Sequence, residues 1–479
     1  MAPRAQEDSP LVSTDGHPSM KKESCSLDDE HFIGELDVSE LGASEMRRVP
    51  FKYRSSSPTA VPNSFRDRIA IALLSAAFVV GAKRAIHYSW VQAGVLKPLG
   101  PYQLVQAQEG KSFFDYYTFY DGPDSEGSAG YNTYVSKSKA DGLGIASVVT
   151  EKDERTGEEE EFVYMSSSST KEGPRDSVRL EGKKRFDRGL FILDVRHMPD
   201  GAGVWPAFWL TDEAVWPRNG EIDILEGVNG QTTAKTALHT SDKCDMYAHV
   251  PSYSKSGDWE WITGIPDTYT GEPDFQTSKP ADNCWVMAPH QWANEGCTAV
   301  HDRNDTIGAP VNNYGGGVYA LEYDPANRYM KSWVFSPDVP ENLEAAINTA
   351  GLTDPKKRVM PDPHSWGIPY AYFAVGESTG CSADHFKNMR LVFNLAFCGN
   401  VAGNRFTREC PAEAAKFNVT NEWGSVDPVL TCNAYIESEP EALDEAYWRI
   451  KGVYVYEREL IKPRKKRTVA SDAKSTDHK

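Results

Sequence analysis

An all-β sandwich is the fold this sequence predicts, and three observations predict it. Apolar residues alternate with polar ones in short runs such as GVYVYE and RGLFILDVRH, the period of a strand with one face buried. Glycine, proline, asparagine and aspartate break these runs at short intervals from about Pro101 to Ile461. Helical windows are few, with ENLEAAINTAG and PEALDEAYW as the candidates. No internal repeat is evident, so a single sandwich domain is expected over 99–463.

The chain has 479 residues, long for one ordinary compact domain, and part of the surplus precedes the sandwich. Residues 1–68 are polar and charged without amphipathic period, the pattern of a disordered segment. They are followed by IAIALLSAAFVVGA, residues 69–82, uncharged and bounded by Arg66 and Arg68 before and Lys83 and Arg84 after. A spanning helix needs about 20 residues. Flanking Lys and Arg can snorkel, however, and the helix can extend into AIHYSWVQAGVL, so 69–98 reads as a signal-anchor and stalk. The segment lies too far inside the chain for a cleaved signal peptide. The basic excess before it (Lys52, Arg54, Arg66, Arg68) slightly exceeds that after it (Lys83, Arg84, Lys97), which favours a single-pass type II membrane protein with a cytoplasmic N-terminus and a lumenal or extracellular sandwich. The alternative is a buried core helix. Residues 464–479 form a basic polar tail, expected to be solvated. Its nuclear-localisation reading conflicts with the anchor.

Cysteine usage agrees with this topology. Cys25 stands alone before the anchor, and Cys244, Cys284, Cys297, Cys381, Cys398, Cys410 and Cys432 follow it. None forms a CxxC pair, which argues against zinc, and clustering beyond the anchor suits disulfides in an oxidising compartment with one cysteine left over. The sequons at Asn304 and Asn418 lie on the same side. Net charge −18 argues against nucleic acid as a partner. Aromatics make up 11% of the chain, with 12 Trp and 22 Tyr, which suits either a large β core or a surface that stacks sugar rings.

The chemistry concentrates in NGEIDILEGVNG, from Asn219 to Gly230. On a helix its three acids would point in three directions. On a strand Glu221 and Asp223 share a face, with Ile222 and Ile224 on the other. Glu226 falls at an odd offset and returns to the acidic face only if one extra residue bulges from the strand. Three adjacent carboxyls repel, so at least one is hard to ionise. An ionised nucleophile beside a protonated acid is what retaining glycoside hydrolysis uses, with the carboxyls roughly 5–5.5 Å apart. The competing readings are a solvated strand face and a metal site. The intervening apolar residues leave few oxygen ligands for calcium, and neither a metal nor a cofactor is expected.

With this motif in place the chain resembles glycoside hydrolase family 16, and within it the fungal-type, laminarinase-like endo-1,3(4)-β-glucanases. The resemblance runs from about Tyr102 to Glu457 through SVRLEGKKRFDRGLFILDVRHMPDGAGVWPAFWL, GEIDILEGVNGQTTAKTALHTSDKC, GGGVYALEYD, HSWGIP, LVFNLAFCGN and AYWRIKGVYVYE. It implies a β-jelly roll of the concanavalin-like kind with a β-glucan polysaccharide in its cleft. It implies Glu221 as nucleophile, Glu226 as acid and then base, and Asp223 as the group between them. Trp209 and Trp216 would line sugar subsites, since a flat indole matches the apolar C–H face of a pyranose. Trp205 reads as core or as cleft. His239 would hydrogen-bond near the cleaved linkage, or is a satisfied core histidine. Tyr134 and Arg179 would help shape the cleft. Trp366 reads as a sugar platform or a loop anchor. One departure stands out: where fungal relatives usually read FCGDWAG this chain has FCGNVAG, with Asn400 and Val401, so an expected sugar-stacking Trp is missing. The acidic stretch 151–173 is expected to be a solvated loop.

The leading expectation is a membrane-anchored retaining endo-β-glucanase. A cell-wall transglycosylase of β-1,6-glucan assembly uses the same chemistry with a sugar as acceptor. A non-catalytic glucan-binding protein is the third reading, and retention of all three acids weighs against it. Linkage preference and oligomeric state are left open.

Overall fold

A computed structural model of the chain describes residues 99–458, apart from 125–126, 154–156, 170–172, 247–264, 267–280, 290 and 292. Cys25, the expected anchor at 69–82, the N-terminal segment and the basic tail lie outside the described residues. Among the described residues no helix is long and apolar enough to cross a membrane.

The period-two runs pair into two eight-stranded antiparallel sheets. The front sheet orders its strands Ile265–Pro266, Cys297–Val300, Lys235–His239, Glu221–Glu226, Val204–Thr211, Arg390–Phe397, Arg179–Gly182 and Tyr117–Phe119. The back sheet orders Ala371–Phe373, Tyr329–Phe335, Gly317–Asp324, Gly189–His197, Trp448–Glu457, Glu159–Met165 and Ala146–Lys152, and Gln103–Glu109 also pairs with Trp448–Glu457. Alternation sends Leu180, Phe208, Leu210, Ile222, Leu238 and Phe393 of the front sheet inward, against Phe191, Leu193, Leu321, Val453 and Val455 of the back. Phe393 sits at the centre, its ring centroid 4.5 Å from Phe208, 6.1 Å from Phe113 and 5.6 Å from Trp448.

The strand Gly189–His197 is buried at every position. Its outward face is covered too: Leu190 and Ile192 pack with Trp333, Tyr454 and Tyr456 under the helix Glu341–Ala350, which contributes Leu343, Ile347 and Ala350. Trp366 is 5% exposed and edge-on to Trp333, so it anchors a loop in this outer layer. The other expected helix, PEALDEAYW, forms only a single 3-10 turn at Pro440–Leu443. The helix in this region is instead Pro428–Ser438, opened by Asp427, whose carboxylate accepts from the Leu430 N–H at 3.0 Å, with proline at its first position.

The expected solvated loop at 151–173 is largely a hairpin, a correction to the sequence reading. Ala146–Lys152 pairs with Glu159–Met165, with Glu151 opposite Glu160. Phe162, Val163 and Met165 are in the core, and the acids find cations from distant segments: Arg449 meets Glu151 at 2.5 Å, Lys111 meets Glu161 at 3.1 Å, and Lys451 pairs with Glu160. Disulfides join Cys244 to Cys381, Cys284 to Cys297 and Cys398 to Cys432, leaving Cys410 free and buried.

Phe393→Ala is expected to destabilise the fold by about 3–5 kcal/mol, because four aromatic neighbours cannot close over the space it leaves. Guanidinium unfolding of variant and wild type checks this, and a loss below about 1 kcal/mol would place the centre of the core elsewhere.

Candidate active site

The bulge that the acid spacing demands is present. Trp209 pairs with Asp223 but the preceding Phe208 pairs with Leu225, so Ile224 is the extra residue. The other neighbour agrees, because Asp223 and Glu226 are three residues apart while their partners, Ala237 and Lys235, are two apart. Ile222, Ile224 and Leu225 all lie in the core. Glu221, Asp223 and Glu226 therefore stand in one row on the outer face of the front sheet. Gly220 leads into this strand with φ +75°, and a Cβ there would meet the His385 carbonyl oxygen at 2.3 Å, so only glycine fits the entry.

Cross-strand register places the other side chains on the same face. Trp205, Trp209 and Thr211 flank the acids on one side, Ala237 and His239 on the other. Arg179, Glu181 and Asn394 continue the row beyond Trp209. Each of three tryptophans donates its indole N–H to a fixed acceptor: Trp205 to Glu226 Oε1 at 2.8 Å, Trp216 to Glu221 Oε2 at 2.8 Å, and Trp209 to Asn394 Oδ1 at 2.7 Å. The Arg179 guanidinium lies 5.3 Å from the Trp209 ring centroid and 5.4 Å from that of Tyr120, and its Nε bonds Glu181 at 3.2 Å.

These positions sort the expected site residues. Trp216 is 41% exposed and Trp209 half-buried, so both can offer a ring face. Trp205 is 8% exposed and packs with Val228, Ala396 and Ala402, so it holds Glu226 rather than presenting a platform. Tyr134 is 1% exposed, which corrects its expected place on the cleft wall. It stands behind that wall, its hydroxyl 3.3 Å from Asp124 and its ring edge-on to Tyr120. Arg179 reaches the face as expected. His239 is buried beside the acids, with Nε2 3.1 Å from Asp223 Oδ2. Gly296 lets the backbone approach it, since a Cβ there would fall 2.8 Å from His239 Nδ1. Asn394, Asp124 and Glu181 are site-supporting residues that the sequence reading missed. The signal for Asn394 was a lone polar residue in the apolar run LVFNLAF.

Donor atoms of Glu221, Asp223 and His239 all lie within 4.8 Å of one another. Burial raises the Asp223 carboxyl to about 8, and the charge of Glu221 adds to this. Burial likewise raises Glu221, opposed by His239 and reinforced by Glu226. For His239 burial acts against the charged form, but contact with Asp223 and the charge of Glu221 outweigh it and bring it up to about 9. At neutral pH the buried Asp223–His239 pair therefore holds on to a proton beside Glu221. The group that resists ionisation is the central acid, which can donate a hydrogen bond to a neighbouring carboxylate.

The acidic row on the outer face of the sandwich, bracketed by indoles, brings together carboxyls of the kind that glycoside hydrolysis pairs. The chain belongs to glycoside hydrolase family 16: the family model described as the XgeA-like, catalytic GH16 domain matches residues 117–456. A probable endo-1,3(4)-β-glucanase of Aspergillus clavatus is 32% identical over 359 residues, covering 74% of this chain and 46% of the relative. The chain thus spans about half the length of that curated relative. Among solved structures, laminarinase 16A from Phanerochaete chrysosporium, holding 6-O-glucosyl-laminaritriose in donor and acceptor sites, superposes with TM-score 0.56 at 26% identity, over 75% of this chain and all of that one. An elongating family 16 β-1,3-glucosyltransferase superposes with TM-score 0.55 at 28% identity, over 74% of this chain and all of that one.

The raised values of Asp223 and His239 fix a sign for stability. Both groups bind their proton more tightly folded than unfolded, Asp223 between 3.8 and about 8 and His239 between 6.5 and about 9. Their contribution is complete below the ordinary values and is lost as pH rises through those windows. Asp223→Asn is expected to flatten the fall in urea midpoint from pH 3.8 to about 8. Parallel profiles for variant and wild type would show that Asp223 does not hold the proton.

Proposed function

We propose that the chain is a retaining endo-β-glucanase acting on β-1,3 or mixed β-1,3-1,4 glucan. The observation that carries this reading is the bulged row Glu221, Asp223, Glu226, with Trp216 donating to the first acid and Trp205 to the last. Glu221 attacks the anomeric carbon while Glu226 gives its proton to the departing glycosidic oxygen, breaking the C–O bond and forming a glycosyl ester on Glu221. Glu226, now a carboxylate, takes a proton from water as that water attacks the anomeric carbon, which breaks the C–O bond to Glu221, frees its carboxylate and restores the acid. Asp223, protonated beside them, hydrogen-bonds the carboxylate and spreads its charge, and His239 compensates the negative charge of the row. Trp209 and Trp216 hold pyranose rings on their exposed faces.

A second reading replaces water by a sugar hydroxyl in the second step, giving transglycosylation. The likeness to an elongating β-1,3-glucosyltransferase supports it. Val401 is exposed where a stacking Trp was expected, and its neighbour Ala402 packs in one cluster with Trp205, the donor to Glu226.

The proposal includes location: an anchor at 69–82 and a catalytic domain in the secretory lumen or outside the cell. Three disulfides and the exposed sequon residues Asn304 and Asn418 support that compartment.

The full-length chain is expected to release short oligosaccharides and new reducing ends from laminarin or mixed-linkage glucan. Glu221→Gln should abolish this, and Glu226→Gln should lower kcat by about 10²–10⁴. Products longer than the substrate would support the transglycosylase reading, and wild-type activity in Glu221→Gln would remove the assignment of the nucleophile. Protein from the native host is expected to gain mobility on peptide-N-glycosidase treatment, and Asn304→Gln with Asn418→Gln should remove that shift. An unshifted wild type would count against the lumenal location.

A further inference from the structure

We infer that the helical lobe beside the cleft carries a second glucan contact, centred on Trp423, that holds the polymer beyond the row of acids. The inference rests on the glucanase reading and extends it to a surface outside the front sheet. Trp423 is 82% exposed, the most exposed large apolar side chain among the described residues. Val426 at 45% and Leu430 at 43% lie three and seven positions further on, and Val401 at 36% lies on the segment against which this lobe packs. Scattered exposed apolar residues are ordinary, but a Trp this exposed at the tip of a hydrogen-bonded turn offers both faces of its ring to a ligand.

The turn is fixed on all sides. Thr420 bridges Val426, and the Asn421 N–H bonds the Ser425 carbonyl at 2.8 Å. The Asn421 side chain accepts from the N–H groups of Trp423 and Ser425, each at 3.1 Å. At its base Asp427 N–H bonds Val419 O at 2.8 Å, and Asp427 caps the helix Pro428–Ser438. The indole is thus presented on a rigid support, which lowers the ordering cost of binding.

The lobe is continuous with the cleft. Glu226 accepts from Trp205, Trp205 packs on Ala402, and the next residue, Gly403, lies against Val429, whose Cγ2 would be 3.3 Å from a Cβ there. The disulfide Cys398–Cys432 fixes the same helix to the end of the strand Arg390–Phe397, which carries Asn394. The lobe thus packs on residues 399–403, which carry Val401, at the end of the strand that bears Asn394. The adjacent exposed Glu422 disfavours an anionic partner, and a neutral polymer with a repeated apolar C–H face fits the indole.

The test uses the full-length chain carrying Glu221→Gln, which binds without turnover, alone and combined with Trp423→Ala or Trp423→Phe. Calorimetric titration with laminarin and with laminaritriose reads the effect. Trp423→Ala is expected to weaken laminarin binding about five-fold and Trp423→Phe less, while laminaritriose affinity stays unchanged because it fits within the cleft. Unchanged laminarin affinity in Trp423→Ala overturns the inference and leaves the glucanase reading standing. Equal weakening toward both ligands also overturns it, since the side chain would then act through the cleft's structure. Failure of the Glu221→Gln parent to bind either ligand removes both readings. A blue shift of Trp423 fluorescence with phosphatidylcholine vesicles but not with laminarin reassigns the patch to a membrane and overturns the inference.

Discussion

One extra residue in one strand decides the chemistry of this molecule. Without Ile224 as a bulge, Glu226 would enter the core and Leu225 would face outward, and the row of acids would end at Asp223. The bulge persists because both alternatives are costly: a carboxylate turned into the core would be unpaired, and Leu225, opposite Phe208, would abandon the core if turned outward. The apolar residues thus hold the acids in place by having nowhere else to go. The same argument fixes the register of the neighbouring strands, which bring His239 and Trp209 alongside.

Three carboxyls in a row create an electrostatic problem that the surrounding groups divide. The Asp223–His239 pair retains a proton, and the outer acids each receive an indole N–H. Burial makes the arrangement effective, because the same charges in open solvent would be screened. Arg179 contributes little to this balance directly. It is bound to Glu181 and stacked between Tyr120 and Trp209, and Glu181 is bound again by Arg390 at 2.7 Å. That network stiffens the far side of the row.

The sandwich and the acidic row were legible in the sequence because both follow from local periodicity: period two for the strands, and one misfit in that period for the bulge. What stayed hidden depends on distant partners. The acids from Glu151 to Glu161 look solvated until Arg449, Lys451 and Lys111 arrive from elsewhere in the chain. The helix Pro428–Ser438 carries Val, Thr, Cys, Asn and Tyr, a weak helical composition. Its place is set by burial of Cys432, Tyr435 and Ile436 against Phe406 and Leu395. Tyr134 matched a cleft position in sequence, but its depth in the fold is a property of packing that no motif records.

The indole hydrogen bonds carry a consequence for selectivity. An indole has one donor and no acceptor. In Trp205, Trp209 and Trp216 that donor is already engaged by Glu226, Asn394 and Glu221. None has a polar atom left to interrogate a hydroxyl, so a ring lying on Trp209 or Trp216 is sensed by its outline and not by the pattern of its oxygens. On the proposed glucanase reading such surfaces would be indifferent to whether the next sugar hangs from position 3 or position 4. On that reading fidelity to one linkage would be a matter of the path left open to the polymer, and changes in the shape of that path would retune it without touching a single acid.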